Sequence, residues 1–331
     1  MSTSNHVFVV LVSLSSMLLI LPACLISASS AARTHPRIKQ TGCNLYEGKW
    51  VYDESYPLFD SSKCPSIRKE FDCLKYGRPD HQYLKYRWQP DGCDLPRFDG
   101  GDFLRRMKGK KIMFVGDSVS SNHWQSLVCL LNQAVSGSNI TRVTSDTTST
   151  VVFQDYGVSV TMFLSHYLVD IEQERVEWDY IENDGKIVKD MDRMDAFHKA
   201  LTTWANWVNS EVNPLKTSVF FQGISPSHYN GTEWNEPGAK DCSRETAPLE
   251  GSTYPGGEPS AAAVVKQVLR SNISPSKPVR LLDITTLSQL RKDGHPSKYN
   301  AFAGTDCLHW CVAGVPDTWN RLLYAELLQG R

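Results

Sequence analysis

An α/β sandwich built on a parallel central sheet, with a small cysteine-rich segment ahead of it, is the fold this sequence predicts. Three observations carry the expectation. Ile112–Val115 is a short apolar run that stops at Gly116 and passes directly into an amphipathic stretch, the pattern of a buried strand feeding a helix. Strand-like and helix-like segments then alternate to the end of the chain. Residues 43–100 differ from the rest of the chain: they hold Cys43, Cys64, Cys73 and Cys93 among many Tyr, Trp, Pro and Asp, with no long periodic run.

Residues 1–32 contain no Lys, Arg, Asp or Glu, and Val7–Ile26 is almost wholly apolar. Small residues come next, before the first charge at Arg33. The pattern is that of a secretory signal cleaved after Ala28 to Ala32, with a type II membrane anchor as the alternative. Removal of Cys24 with the signal leaves eight of the nine cysteines. An even set in an oxidising compartment reads as four disulfides, and spacing alone does not choose among the pairings. Asn139, Asn230 and Asn272 each begin a glycosylation sequon, which agrees with passage through the secretory pathway, in the Golgi or out to the cell wall.

Within residues 101–331 the elements run in order. The cluster Arg105, Arg106, Lys108, Lys110 and Lys111 reads as the solvated lead-in to the Ile112–Val115 strand. Val158–Leu164 and Ser218–Phe221 are strand-like, Asp192–Val208 has apolar residues at helical spacing, and Glu236–Pro259 is a Gly- and Pro-rich surface loop. Ser260–Leu269 reads as helix, Val279–Asp283 as strand, and Pro316–Leu328 as a closing helix with Pro in its first turn. A net charge of −1 excludes nucleic acid as an expected partner. Nine Trp and thirteen Tyr suit a carbohydrate ligand. His123, His166, His198 and His295 show no metal-ligand spacing, so no metal is assigned; His228 falls on a loop and is read as bonded to its own neighbours.

Ser118 sits where the strand turns into helix, at the carboxyl edge of the expected sheet, with its backbone N–H at a helix N-terminus. That placement suits a nucleophile, although Asp117 and Ser118 also suit a plain N-cap. Near the other end, Asp306 precedes His309 by three residues, and a carboxylate there can orient an imidazole that takes a proton from a serine. Gly-Asp-Ser with Asp-x-x-His far downstream resembles the SGNH (GDSL-type) hydrolases. Residues 43–100, with GDSVSSNHWQSL, FLSHYLVD, KTSVFFQGISPSHYNGTEW and DCLHWCVAGVPDTWN, resemble the plant trichome birefringence-like family across nearly all of the chain beyond the leader.

That resemblance implies an SGNH-like three-layer sandwich and O-acetylation of a plant cell-wall polysaccharide such as xylan, another hemicellulose or pectin. Related proteins deacetylate instead, and a non-catalytic polysaccharide-binding role is the third reading. It further implies Ser118 as acetyl carrier, His309 as base and Asp306 as its orienter. No bound cofactor is implied, but an acetyl donor is required, and a monomer is expected. The Ser118 backbone and Gly157 stand as oxyanion candidates. The cysteine spacing resembles the family's bridges, implying Cys43–Cys93, Cys64–Cys129, Cys73–Cys311 and Cys242–Cys307. One departure stands out: from about residue 171 to 178 the chain lacks a segment that in the family carries a buried central strand and an oxyanion-hole Asn. Asn122 is the nearest amide left to Ser118, and a structural role is expected of it.

Overall fold

A computed structural model describes residues 8–12, 43–64, 67–135, 139–165, 181–183, 186–188 and 191–329. The elements are β1 (Phe8–Val12), β2 (Gly48–Tyr52), β3 (Tyr86–Pro90), α1 (Gly100–Arg106), β4 (Lys111–Gly116), α2 (Ser118–Ala134), β5 (Ile140–Thr144), β6 (Thr148–Phe153), β7 (Val158–Leu164), β8 (Ile181–Asn183), β9 (Lys186–Val188), α3 (Arg193–Glu211), β10 (Thr217–Gln222), α4 (Ser260–Ser271), β11 (Val279–Leu282), α5 (Thr285–Gln289) and α6 (Val315–Gln329). His166 and the junction near residues 171–178 lie outside the described residues.

Seven strands form one sheet in the order β11-β10-β1-β4-β7-β6-β5. The pairs from β11 to β7 are parallel, whereas β6 runs antiparallel to β7 and β5 antiparallel to β6. The sheet is therefore mixed. β8 and β9 form a separate antiparallel pair.

Period-two burial assigns the faces. Ile112 and Phe114 of β4 and Phe220 of β10 pack into one core with Leu127, Leu131, Trp319 and Leu322 of α2 and α6. Val219 and Phe221, pointing the other way, pack with Leu201, Trp204 and Val208 of α3 and Val265 and Val268 of α4. Helices thus cover both faces, and α2 emerges from the carboxyl end of β4 at the sheet edge.

β1 takes its five residues from the run read as a leader. It lies between β4 and β10, with Phe8 opposite both Lys111 and Thr217 and Val12 opposite both Val115 and Phe221. Both of its edges are paired. A strand from the N-terminal apolar run therefore holds a central place in the sheet, and the rest of the expected leader lies outside the described residues.

The cysteine-rich segment is built into the main body. Its β2–β3 pair is antiparallel; Trp88 is fully buried in the core shared with α2 and α6, and Trp50 Nε1 donates to the Leu287 carbonyl at 2.7 Å. Disulfides join Cys43–Cys93, Cys64–Cys129, Cys73–Cys311 and Cys242–Cys307, the same pairs that the resemblance implies. The second ties this segment to α2, and the third ties it to the loop after His309. The basic lead-in is partly helical: Arg106 in α1 pairs with Asp102 at 2.5 Å.

Candidate active site

Asp117 caps α2, and its carboxylate accepts from the Val119 and Ser120 N–H groups at 3.0 and 3.1 Å. Ser118 is therefore fixed at the first helical position, and its own N–H is the first-turn donor that the cap does not take. Burial raises the Asp117 pKa against the two N–H donors and the nearby His309. Asp117 thus fills the cap role read from the sequence, and half-buried Ser118 is left with its hydroxyl outside the cap.

The Ser118 hydroxyl meets His309 Nε2 at 2.7 Å, and His309 Nδ1 meets Asp306 Oδ2 at 2.7 Å. Asp306 Oδ1 also accepts from the N–H groups of Leu308 and His309, each at 3.0 Å. Burial works against the Asp306 charge, but the His309 ring and these N–H donors outweigh it and hold its pKa below the ordinary carboxylate value. The His309 and Asp306 side chains are 20% and 19% exposed, so the line is open at one side. Serine, imidazole and carboxylate in this order can remove a proton from the hydroxyl and return it to a leaving group.

The loop carrying Asp306 and His309 is held from several directions. Asp306 pairs with Ser297 through two backbone hydrogen bonds of 3.0 and 2.8 Å. Cys307 is bonded to Cys242 and Cys311 to Cys73. The Phe71 ring lies 5.4 Å from the His309 ring, and the Phe71 carbonyl accepts from Val312 N–H at 3.0 Å. Buried Asn122 donates to the Trp310 carbonyl at 2.8 Å and accepts from Trp310 N–H at 3.2 Å. Its expected structural role is now specific: it fastens the residue next to His309 to α2.

Gly157 is placed elsewhere. It precedes β7, whose Ser159 pairs with Lys111 at the start of β4, and a Cβ added to it would lie 3.7 Å from the Gly109 Cα. Ser118 stands beyond the opposite end of β4, about 20 Å away at roughly 3.3 Å per residue. Gly157 is therefore not an oxyanion donor. The error arises because β7 runs parallel to β4, so the glycine before it falls at the amino edge.

The remaining histidines are interior or partly so. His123 is buried against Phe114 and Trp319, with Nδ1 2.6 Å from Gln222 Oε1, and burial lowers its pKa to about 4. His198 is half-buried on α3. His228 and His295, unassigned from sequence except as ordinary loop or core residues, form a buried pair next to the active loop. Among the described residues, no group of three His, Cys, Asp or Glu side chains is arranged to hold a metal ion. Nor is any helix among them long and apolar enough to cross a membrane. Asn139 and Asn230 are exposed and Asn272 is half-buried at the end of α4.

An α/β domain carrying a Ser-His-Asp line at its sheet edge is the architecture of an acyl-esterase-type enzyme. The family model described as "PC-Esterase: GDSL/SGNH-like Acyl-Esterase family found in Pmr5 and Cas1p" matches residues 95–177 and 172–326, and that of the "PMR5 N terminal Domain" matches residues 41–94. The chain is 50% identical to Protein trichome birefringence-like 38 of Arabidopsis thaliana, covering 90% of this chain and 87% of the relative. Protein trichome birefringence-like 43 of the same plant is 44% identical, covering 94% and 95%. Protein trichome birefringence is 36% identical, covering 86% of this chain and 56% of the relative. The chain belongs to the trichome birefringence-like family. The first of these alignments runs over 335 positions while using 90% of the present chain, so that relative carries residues with no counterpart here. The two PC-esterase stretches meet at residues 172–177, where the sequence points to a missing segment.

Proposed function

We propose that this protein transfers an acetyl group to a hydroxyl of a plant cell-wall polysaccharide, working as a monomer in the secretory pathway or cell wall. The observation that carries the reading is the Ser118–His309–Asp306 line, closed by two contacts of 2.7 Å. His309 Nε2 takes the Ser118 proton as Oγ attacks the acetyl carbonyl of a donor. Negative charge gathers on the carbonyl oxygen near the Ser118 N–H at the start of α2. Collapse expels the donor's leaving group, which takes the proton from His309 and leaves acetyl-Ser118. A sugar hydroxyl then gives its proton to His309 and attacks the acetyl carbon, restoring Ser118. Asp306 holds the ring in the required tautomer and balances the imidazolium charge. The donor is consumed as a substrate, and no resident cofactor takes part.

Two other readings rest on specific observations. The family description as an acyl-esterase favours hydrolysis, with water in place of the sugar. The missing segment, which by resemblance holds a second oxyanion donor, favours a polysaccharide-binding form with little turnover, since one lost donor costs roughly a hundredfold or more.

The test is to incubate the secreted protein with an activated acetyl ester and map the acetylated peptide by mass spectrometry. Xylan, mannan and pectin oligosaccharides are then added. An acetyl group on Ser118 that moves to an oligosaccharide supports transfer. Release as free acetate alone supports the esterase. Polysaccharide binding without any acetyl-Ser118 supports the non-catalytic form and overturns the enzyme.

A further inference from the structure

His228 and His295 lie behind the active loop, both almost wholly shielded from solvent (0% and 1% exposed). Their contacts form a line of three. His228 Nε2 is 2.8 Å from the Gln289 carbonyl oxygen, His228 Nδ1 is 2.6 Å from His295 Nε2, and His295 Nδ1 is 2.7 Å from the His309 carbonyl oxygen. Both ends are carbonyls, which only accept, so both terminal ring nitrogens must carry hydrogen. Two neutral imidazoles have two hydrogens between them, and both are then used at the ends. The central pair of nitrogens would face each other with bare lone pairs at 2.6 Å. A third proton turns that repulsion into an N–H···N bond.

We propose that the His228–His295 pair is a positioning element for His309 that holds one shared proton, fastening the His309 carbonyl while the proton is bound. The remaining contacts keep the pair in place. The His295 ring stacks on Trp310 with centroids 4.1 Å apart, and Trp310 Nε1 donates to Ser225 Oγ at 2.9 Å. Arg78 donates to the His295 carbonyl at 2.9 Å and to the Asp293 carbonyl at 2.7 Å. The His309–Trp310 peptide is thereby held on two sides, by His295 at its carbonyl and by Asn122 at its N–H.

Opposed forces set the hold on the proton. Burial disfavours the cation, lowering the His228 pKa to about 4 and the His295 pKa well below its usual value. Asp293 and Asp306 favour the cation, whereas Lys292 faces His228 and Arg78 faces His295 with like charge. The Tyr254 ring, 6.2 Å from His228, is a further titratable neighbour. Loss of the proton breaks one bond of the line, and the His309 carbonyl is the end that belongs to the active loop.

The positioning half of this inference rests on the proposed acyl transfer; the shared proton does not. The experiment is ¹⁵N and ¹H NMR of the full chain labelled at histidine, across about pH 4 to 8, beside ester turnover of the wild type, His228→Gln and His295→Phe. A downfield N–H proton coupled to both rings, lost in one step as pH rises, is expected. Two neutral rings with no such proton across the whole range overturn the proposal. His228→Gln supplies an amide hydrogen to His295 Nε2 and satisfies the line without a third proton. It should retain turnover within about threefold but lose the fall in kcat that accompanies deprotonation in the wild type. His295→Phe keeps the stacking surface and should lower kcat by roughly tenfold or more with KM little changed. A shared proton with unchanged kcat and pH profile in both variants overturns the positioning role. A shared proton in a wild type without acyl chemistry overturns the proposed function and leaves the proton intact.

Discussion

Asn122 and Trp310 exchange two hydrogen bonds across 188 residues, one in each direction, at 2.8 and 3.2 Å. The amide stands one turn after Ser118 on α2, and the peptide it clasps comes directly after His309. Ser118 and His309 are thus referenced to one another through the backbone, independently of their own side-chain contact. In Asn122→Ala two buried backbone groups lose their partners, and stability should fall by about 2–5 kcal/mol. Asn122→Asp keeps the acceptor for Trp310 N–H but loses the donor to the Trp310 carbonyl, so it should lower turnover too. Chemical denaturation with ester turnover checks both. An Ala variant with wild-type stability would show that the clasp holds nothing in place.

The Ser118–His309–Asp306 line predicts separable effects. Ser118→Ala should abolish acetyl-enzyme formation and lower turnover about a thousandfold or more, with the melting temperature within a few degrees of wild type. Asp306→Asn should leave the fold in place but favour the wrong imidazole tautomer, with a loss of similar order. The Asp306 pKa is lowered in the folded state, so its contribution to stability is present above the unfolded value and is lost as pH falls through the folded one. Asp306→Asn should therefore lose part of the wild type's acid sensitivity in a pH series of melts. A Ser118→Ala protein that keeps wild-type turnover would refute the nucleophile.

Much of this arrangement is legible in the sequence. Ile112–Val115, Val158–Leu164 and Ser218–Phe221 are apolar-rich runs of strand length, and all three lie in strands of the main sheet. The helices at Asp192, Ser260 and Pro316 show their spacing equally clearly. β5 escapes because Thr141, Arg142, Val143 and Thr144 are exposed, leaving no apolar alternation to read. The β2–β3 pair escapes because Tyr52 and Tyr86 meet only through a long intervening loop. Gly157 is misplaced because a sequence does not state which end of a strand lies beside its neighbour's. The His228–His295 pair depends on a contact across 67 residues, and neither histidine has a local pattern that announces it.

β1 creates a conflict that a measurement can decide. Residues 8–12 pair on both sides within the sheet, yet they lie inside the run that the sequence marks for removal. A chain beginning at Arg33 loses this strand, and the backbone groups of Lys111–Val115 and Thr217–Phe221 that face it lose their partners. That chain should unfold without a cooperative transition, or far below the full chain, and amide exchange at those two strands should be fast. Restoring the family's segment between residues 171 and 178 should rescue it. Equal melts for the chains beginning at Met1 and Arg33 would show that β1 contributes nothing.

Asp317 gives the last prediction. Its carboxyl is buried at the start of α6, accepting from Ser126 Oγ at 2.6 Å and from Gly314 N–H at 3.0 Å. Burial pushes its pKa up to about 7, against those two donors and the charge of Arg291. A carboxyl with a raised folded pKa binds its proton more tightly when folded. Its contribution to stability is complete below the unfolded value near 3.8 and is lost as pH rises through about 7. Asp317→Asn removes that titration. The new amide can donate to Ser126 Oγ while its oxygen accepts from Gly314 N–H. The difference in unfolding free energy between variant and wild type should therefore shift in the variant's favour from pH 4 to pH 7 and level off above it. Urea titrations at several pH values measure that difference directly, and one that stays constant with pH would place the Asp317 titration outside this range.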